Sequence, residues 1–185
     1  MKKIIIWVII LIVLGVGGSL GYQYYSLVFN KPAVAPLRIL SPLYATYTID
    51  RQKVTLKNGA AETEAAPGSG SKIATALFGE PVQEDLTNDD VKDYAMLITQ
   101  TTGGSGTFYY AVVGIVNKDT AEVTGTNAIL LGDRVAPQNI QIDKGTLIVN
   151  YADRNPGEAM TIEPSVGISK YLTIVDGMLV DSGKK

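Results

Sequence analysis

The chain contains no cysteine and no histidine. Without cysteine there is no disulfide, no zinc–thiolate centre and no thiol nucleophile. The N-terminal thiol on which a bacterial lipoprotein anchor is built is missing too. Without histidine there is no Ser-His-Asp triad, no Cys-His pair and no imidazole metal ligand. Charge is absent from one stretch: no ionisable Asp, Glu, Lys or Arg occurs from residue 4 to residue 30, and the first acidic residue is Asp50. No long amphipathic helical pattern is present; the spacing predicts at most one or two short helices, one of them near residues 88–95.

What remains is a chain of 185 residues, 46% of them hydrophobic, enough for one domain with additions. From residue 31 onward it carries 14 Lys/Arg against 18 Asp/Glu, a net charge of −4. A mildly acidic domain repels phosphate backbones, so nucleic acid is excluded as a partner.

The uncharged stretch reads IIIWVIILIVL over residues 4–14 and stays apolar to Phe29. A membrane span needs about 20 apolar residues, and residues 4–29 suffice for a transmembrane helix that makes the cell membrane the first partner. Tyr22, Tyr24, Tyr25 and Phe29 form an interfacial belt at its outer end, and Lys2 and Lys3 hold residues 1–3 in the cytoplasm. The expected location is the cytoplasmic membrane, single-pass, with the C-terminal part extracytoplasmic. A cleaved signal peptide is the alternative, with Gly17 and Ser19 as small residues before a cut. Residues 30–43 hold Pro32, Pro36 and Pro42 and read as a stiff stalk. The β domain is expected over 44–181, followed by a tail at 182–185.

Short strands are predicted over 44–49, 54–56, 94–100, 108–116, 124–131, 139–142, 146–151, 170–175 and 178–180, from β-branched and aromatic residues between turn signals. Asn58-Gly59, Asp143-Lys144-Gly145 and Asp176-Gly177 mark tight hairpins. This spacing predicts a mainly β fold, an antiparallel barrel or sandwich.

Several of these stretches occur together: YTID (47–50) with VTL (54–56), TQTTGGSGTFYY (99–110), GTNAILLGDR (125–134) and VNYADRNPGE (149–158). In them the chain resembles a group of uncharacterised bacterial extracytoplasmic proteins, frequent in small-genome candidate lineages, over roughly residues 44–180. The resemblance implies an extracytoplasmic β domain and carries no known activity. Members of that group often have Asp-Leu-Asn-Gly-Asp-Gly before the strand that corresponds to 94–100; here the stretch is DLTNDDVKD (85–93), which departs from it.

Four places hold candidate chemistry. Asp85, Thr87, Asp89 and Asp93 fall at positions 1, 3, 5 and 9 of a calcium-loop pattern, where alternate oxygens converge on a hard cation. Asp90 stands where the pattern needs glycine, and Met96 where it needs a bidentate glutamate. A helix capped by Thr87 with Asp90 as its capping-box partner, or a plain acidic loop, is the competing reading. Glycines 103, 104 and 106 join strand to strand with no Gly-Lys-Ser/Thr, the pattern of a hairpin connection and not of a phosphate cradle. The dipeptides Asp133-Arg134 and Asp153-Arg154 sit at strand ends; neighbours on a strand face opposite sides, so each Asp is expected to meet a distant Arg, as in a pair of Asp133 with Arg154. With Glu158 and Glu163 nearby they admit a carboxylate-only hydrolase acting on envelope glycans. Ser69-Gly70-Ser71-Lys72 matches the Ser-x-x-Lys of penicillin-binding enzymes but has no Lys-Thr-Gly or Ser-Asp-Asn after it. The expectation is a membrane-tethered, non-catalytic module that binds an envelope protein or glycan, or supports an envelope assembly, through loops at one end of its β-fold. It has no cofactor unless calcium fills the acidic loop.

Overall fold

The computed structural model describes residues 39–66 and 68–183. The segments read from the sequence as transmembrane helix and cytoplasmic tip, and most of the expected stalk, lie outside the described residues. Among those described, no helix is long and apolar enough to cross a membrane. The compact unit that contains them runs from Arg38 to Lys185. Residues 39–43, read as stalk, already belong to its packing: Pro42 is buried, and the Ile39 carbonyl accepts the Val123 N–H at 2.6 Å.

The described residues are mainly β, in three antiparallel sheets, and none closes into a barrel. A single 3-10 turn at Pro42–Tyr44, capped by the Ser41 hydroxyl, leads into β1 (Thr46–Ile49). β1 pairs with β2 (Gln52–Thr55) as a two-stranded ribbon. The middle sheet runs β3 (Ala60–Glu64), β4 (Lys72–Glu84), β5 (Asp93–Thr101), β6 (Phe108–Val116), β7 (Val123–Gly125), with β8 (Ile129–Asp133) also on β6. The third sheet has the order β12 (Met178–Asp181), β11 (Val166–Val175), β10 (Thr146–Asp153), β9 (Ala136–Asp143).

Two hydrophobic cores explain why β5 and β6 lack a polar face. Ala95 and Leu97, with Ala111 and Val113, pack against Leu147, Val149, Leu172 and Leu179 of the third sheet. Their neighbours Met96 and Ile98, with Tyr110 and Val112, pack against Tyr47, Ile49 and Val54 of the ribbon. Successive residues of a strand face opposite sides, so the middle sheet is covered on both faces. This accounts for the near-continuous apolar runs 94–98 and 109–116, since a strand covered on both faces gains nothing from alternation. Each such Val, Leu or Ile contributes about 1.5–3 kcal/mol by leaving water.

The hairpin signals act as read. Asn58 and Gly59 have φ of 54° and 78°, Lys144 and Gly145 49° and 74°, Asp176 and Gly177 51° and 75°. Other expectations are corrected. Residues 88–95 form no helix: 86–92 is a bent loop and β5 begins at Asp93. The single strand expected at 124–131 is two, β7 and β8, parted by Thr126-Asn127-Ala128. β3 and the thirteen-residue β4 were not legible as strands. β4 contains Gly79-Glu80-Pro81, a turn signal, which the sheet takes up as a bulge: those three residues stand opposite Met96 alone, between the pairs Phe78↔Leu97 and Val82↔Ala95. Ser69-Gly70-Ser71 is the loop before β4, and Lys72 forms an exposed pair with Glu62 at 3.0 Å.

The break between β7 and β8 ties all three sheets together. Thr126 exchanges bonds with Val113 of β6, through its own N–H at 2.9 Å and its hydroxyl at 3.0 Å. Thr126 and Ala128 bond to Thr48 of β1. The Asn127 carboxamide accepts from the Leu179 N–H and donates to the Leu179 carbonyl, each at 2.8 Å. It thereby substitutes for a neighbouring strand at the edge of β12. Asn127→Ala should destabilise the domain by about 2–3 kcal/mol, because Leu179 loses both partners. Chemical denaturation checks this: the midpoint should fall with an unchanged m-value.

Candidate functional site

The acidic loop between β4 and β5 gathers all four residues of the calcium reading, but turns the oxygens of Asp85 and Asp93 to backbone donors. Asp85 Oδ1 accepts from the N–H groups of Thr87, Asn88 and Asp89 at 3.2, 2.6 and 3.3 Å, and its Oδ2 from that of Asp90 at 3.0 Å. The helix cap expected at Thr87 has no helix to cap, and the Asp85 carboxylate instead closes a bent loop over 86–91. Asp93, fully buried, accepts from the N–H of Val116 at 2.9 Å, the N–H of Leu86 at 3.1 Å and the Thr87 hydroxyl at 3.3 Å. Asp89 accepts from the Val91 N–H at 2.9 Å, and Lys118 donates to its carbonyl. Asn88 and Asp90 take positive φ, 59° and 68°, which folds the loop around Asp85. Among the described residues no group of three or more acidic side chains converges as a metal ion requires.

These environments set the charges apart. Burial pushes the Asp93 carboxyl above its ordinary value against the pull of its three donors. Desolvation is also the largest single effect on Asp85, yet its four backbone bonds together outweigh it and hold that carboxyl low.

The Asp-Arg dipeptides come together at one corner, not in the expected cross-pair. Arg134 turns back on its own neighbour, with Nη2 at 3.1 Å from Asp133 Oδ2. Its φ of 50° ends the strand alternation that would have separated them. Asp133 Oδ1 also takes the Thr107 N–H at 2.9 Å, fixing the exit of the glycine loop that joins β5 to β6. Arg154 instead donates to two carbonyls, that of Arg134 at 3.0 Å and that of Ile162, and so clamps the 154–165 segment onto the β8–β9 corner. Asp153 caps the Arg154 N–H at 2.7 Å, and Glu158 binds both the N–H and the Nδ2 of Asn155 at 2.8 Å.

For Asp133, desolvation raises the carboxyl, but the bonds from Arg134 and Thr107 and the charges of Arg134 and Arg154 together lower it. A carboxyl lowered on folding adds stability above its unfolded value, near 3.9, and this stability is lost as pH falls through the lower folded value. Asp133→Asn should therefore be less stable than the wild type at pH 6, and the gap should narrow at pH 3. Urea midpoints at the two pH values check this; a gap that widens in acid would refute it.

A groove between the two larger sheets was not among the sites expected from the sequence. A cavity of about 190 Å³ lies between the β4 bulge and the edge strand β9. Phe78, Val82, Leu97, Pro137 and Ile140 form its apolar wall, with Glu80, Gln138 and Asn139 among its polar lining. Phe78 is 39% exposed and stacks edge-on against Tyr109, with centroids 5.2 Å apart. The available signals were Gly79-Glu80-Pro81 and Pro137: glycine and proline within strands mark bulges and edges.

No protein-family model matches the chain, and neither a curated protein nor a solved structure matches it.

Proposed function

We propose that the chain is a non-catalytic, membrane-tethered extracytoplasmic module that binds an envelope partner in the groove between β4 and β9. The groove carries this reading: an apolar recess with a part-exposed aromatic wall and a few polar groups is the usual form of a recognition site. The location differs from the strand-end loops expected from the sequence. Tethering rests on the sequence of residues 4–29 and the resemblance noted above.

The carboxylates support a binding role over a hydrolytic one. A general acid needs a raised carboxyl within reach of substrate. Asp133 and Glu158 are held low, Glu158 chiefly by its bonds to Asn155. Asp93, which is raised, is fully buried.

The test retains envelope components on the full chain in detergent micelles and compares wild type with Phe78→Asp. The expected result is a component held by the wild type and lost by the variant. Equal retention by both would overturn the groove reading, and turnover of a glycan library would replace it with the hydrolase. A rise in melting temperature at millimolar calcium would favour the calcium-stabilised form of the module.

A further inference from the structure

We infer that the groove takes an extended polypeptide, which adds as a strand to the open edge of β9 and places an apolar side chain beside Phe78 and a basic one against Glu80. The inference rests on the groove reading above and names the partner's class.

β9 ends the order of its sheet and pairs on one side only, with β10. Among the described residues no other backbone bond reaches residues 136–143. An unpaired strand edge presents a row of N–H and C=O groups that can template another chain. Proteins suppress this with charge, proline, bulges or very short edges. Three other edges carry such devices. β12 has four residues, and the Asn127 side chain occupies both backbone groups of Leu179. β3 carries Glu62 and Glu64. The part of β4 beyond its pairing with β3 holds the bulge, Glu80, Pro81 and Glu84. β9 has Pro137 near its start and then the uncharged run Asn139-Ile140-Gln141-Ile142.

The cavity lies along this open edge. Strand addition works by this combination, in which main-chain bonds supply affinity and a pocket for alternate side chains supplies selectivity. The pocket, apolar and about 190 Å³, suits one aliphatic side chain. Charge selects the neighbouring residue. Glu80 lines the groove and is exposed, whereas Glu62, Glu84, Asp90, Asp133 and Asp181 each pair with a cation. Glu80 has no such partner among the described residues, so a ligand Lys or Arg supplies it.

The test pans short random displayed peptides against the full chain in detergent micelles and measures enriched peptides by fluorescence anisotropy. Enriched peptides should join an apolar residue to a nearby Lys or Arg. Kd should rise about tenfold for Phe78→Ala and roughly fivefold for Glu80→Lys. Methylating alternate backbone nitrogens of the peptide should abolish binding, since the ladder loses its donors. Both substituted side chains are exposed, so unchanged melting temperatures will show that the fold is intact. Failure to enrich any peptide, or methylated peptides that bind as before, would overturn strand addition. So would sedimentation showing that two copies of the chain occupy the edge instead. If glycan fragments are then held in a Phe78-dependent way, the groove reading survives without the peptide. If Phe78→Ala alters retention of nothing, both fall.

Discussion

Asp93→Ala should lower the stability of the domain by about 3–5 kcal/mol and its melting temperature by roughly 10 °C or more. Asp93 begins β5, and its side chain completes the β5–β6 ladder: the Val116 N–H, at the end of β6, bonds to Asp93 Oδ1. Oδ2 holds the Leu86 N–H and the Thr87 hydroxyl, closing the acidic loop over the core at Leu86. Alanine leaves two backbone donors unsatisfied, each costing about 1–3 kcal/mol where water cannot reach it. Asparagine is no rescue, because its amide must face a donor wherever it points. Lys92→Ala is the control: its partner Glu84 is 3.7 Å away and both are exposed, so the change should stay within about 0.5 kcal/mol. A melting temperature for Asp93→Ala near that of Lys92→Ala would refute the role given to the buried carboxylate.

The effect of Gly125→Ala should be comparable, roughly 3 kcal/mol or more, for a steric reason. Gly125 pairs with Gly114 where β6 meets β7, and the two glycines leave a notch for the Tyr47 ring. A Cβ on Gly125 would run into the Thr46 carbonyl and lie 2.7 and 2.8 Å from two Tyr47 ring carbons. One on Gly114 would lie 2.8 Å from Val123 Cγ1 and 3.2 Å from the Tyr47 hydroxyl. The ring cannot retreat, because Tyr47 is fully buried and its hydroxyl donates to the Pro42 carbonyl at 2.9 Å. Burial also pushes that phenol well above its usual range. The ribbon must therefore lift from the middle sheet. Gly167→Ala, with nothing within 4 Å of its added Cβ, should be neutral. The measurement is denaturant unfolding of the three proteins side by side, and equal midpoints would remove the notch from the account.

These two positions mark how far the sequence could be read. Gly125 lies in a stretch that reads as strand, and nothing local distinguishes it from a weak strand residue; its need arises from Tyr47, far away in the chain. Asp93 was legible as part of an acidic loop, but an acidic loop reads equally as a cation site, a helix cap or a hydrogen-bonded turn. The choice depended on whether Leu86 and Val116 pointed their N–H groups inward. The Asp133 and Arg134 pair failed for a related reason: alternation separates neighbours only while the strand continues, and Arg134 leaves it with a positive φ.

The sequence by itself determined the β class, the strands at β5 and β6 and the hairpins at Asn58-Gly59, Lys144-Gly145 and Asp176-Gly177, because backbone preference and hydrophobic run length act between near neighbours. It also removed thiol and imidazole chemistry outright. Only the tertiary structure decided that the middle sheet is covered on both faces, that β4 continues through its glycine and proline, that the carboxylates serve backbone donors, and that β9 is left open beside an apolar groove. Each of these depends on which distant surfaces meet, and burial and pairing across such contacts outweigh local preference.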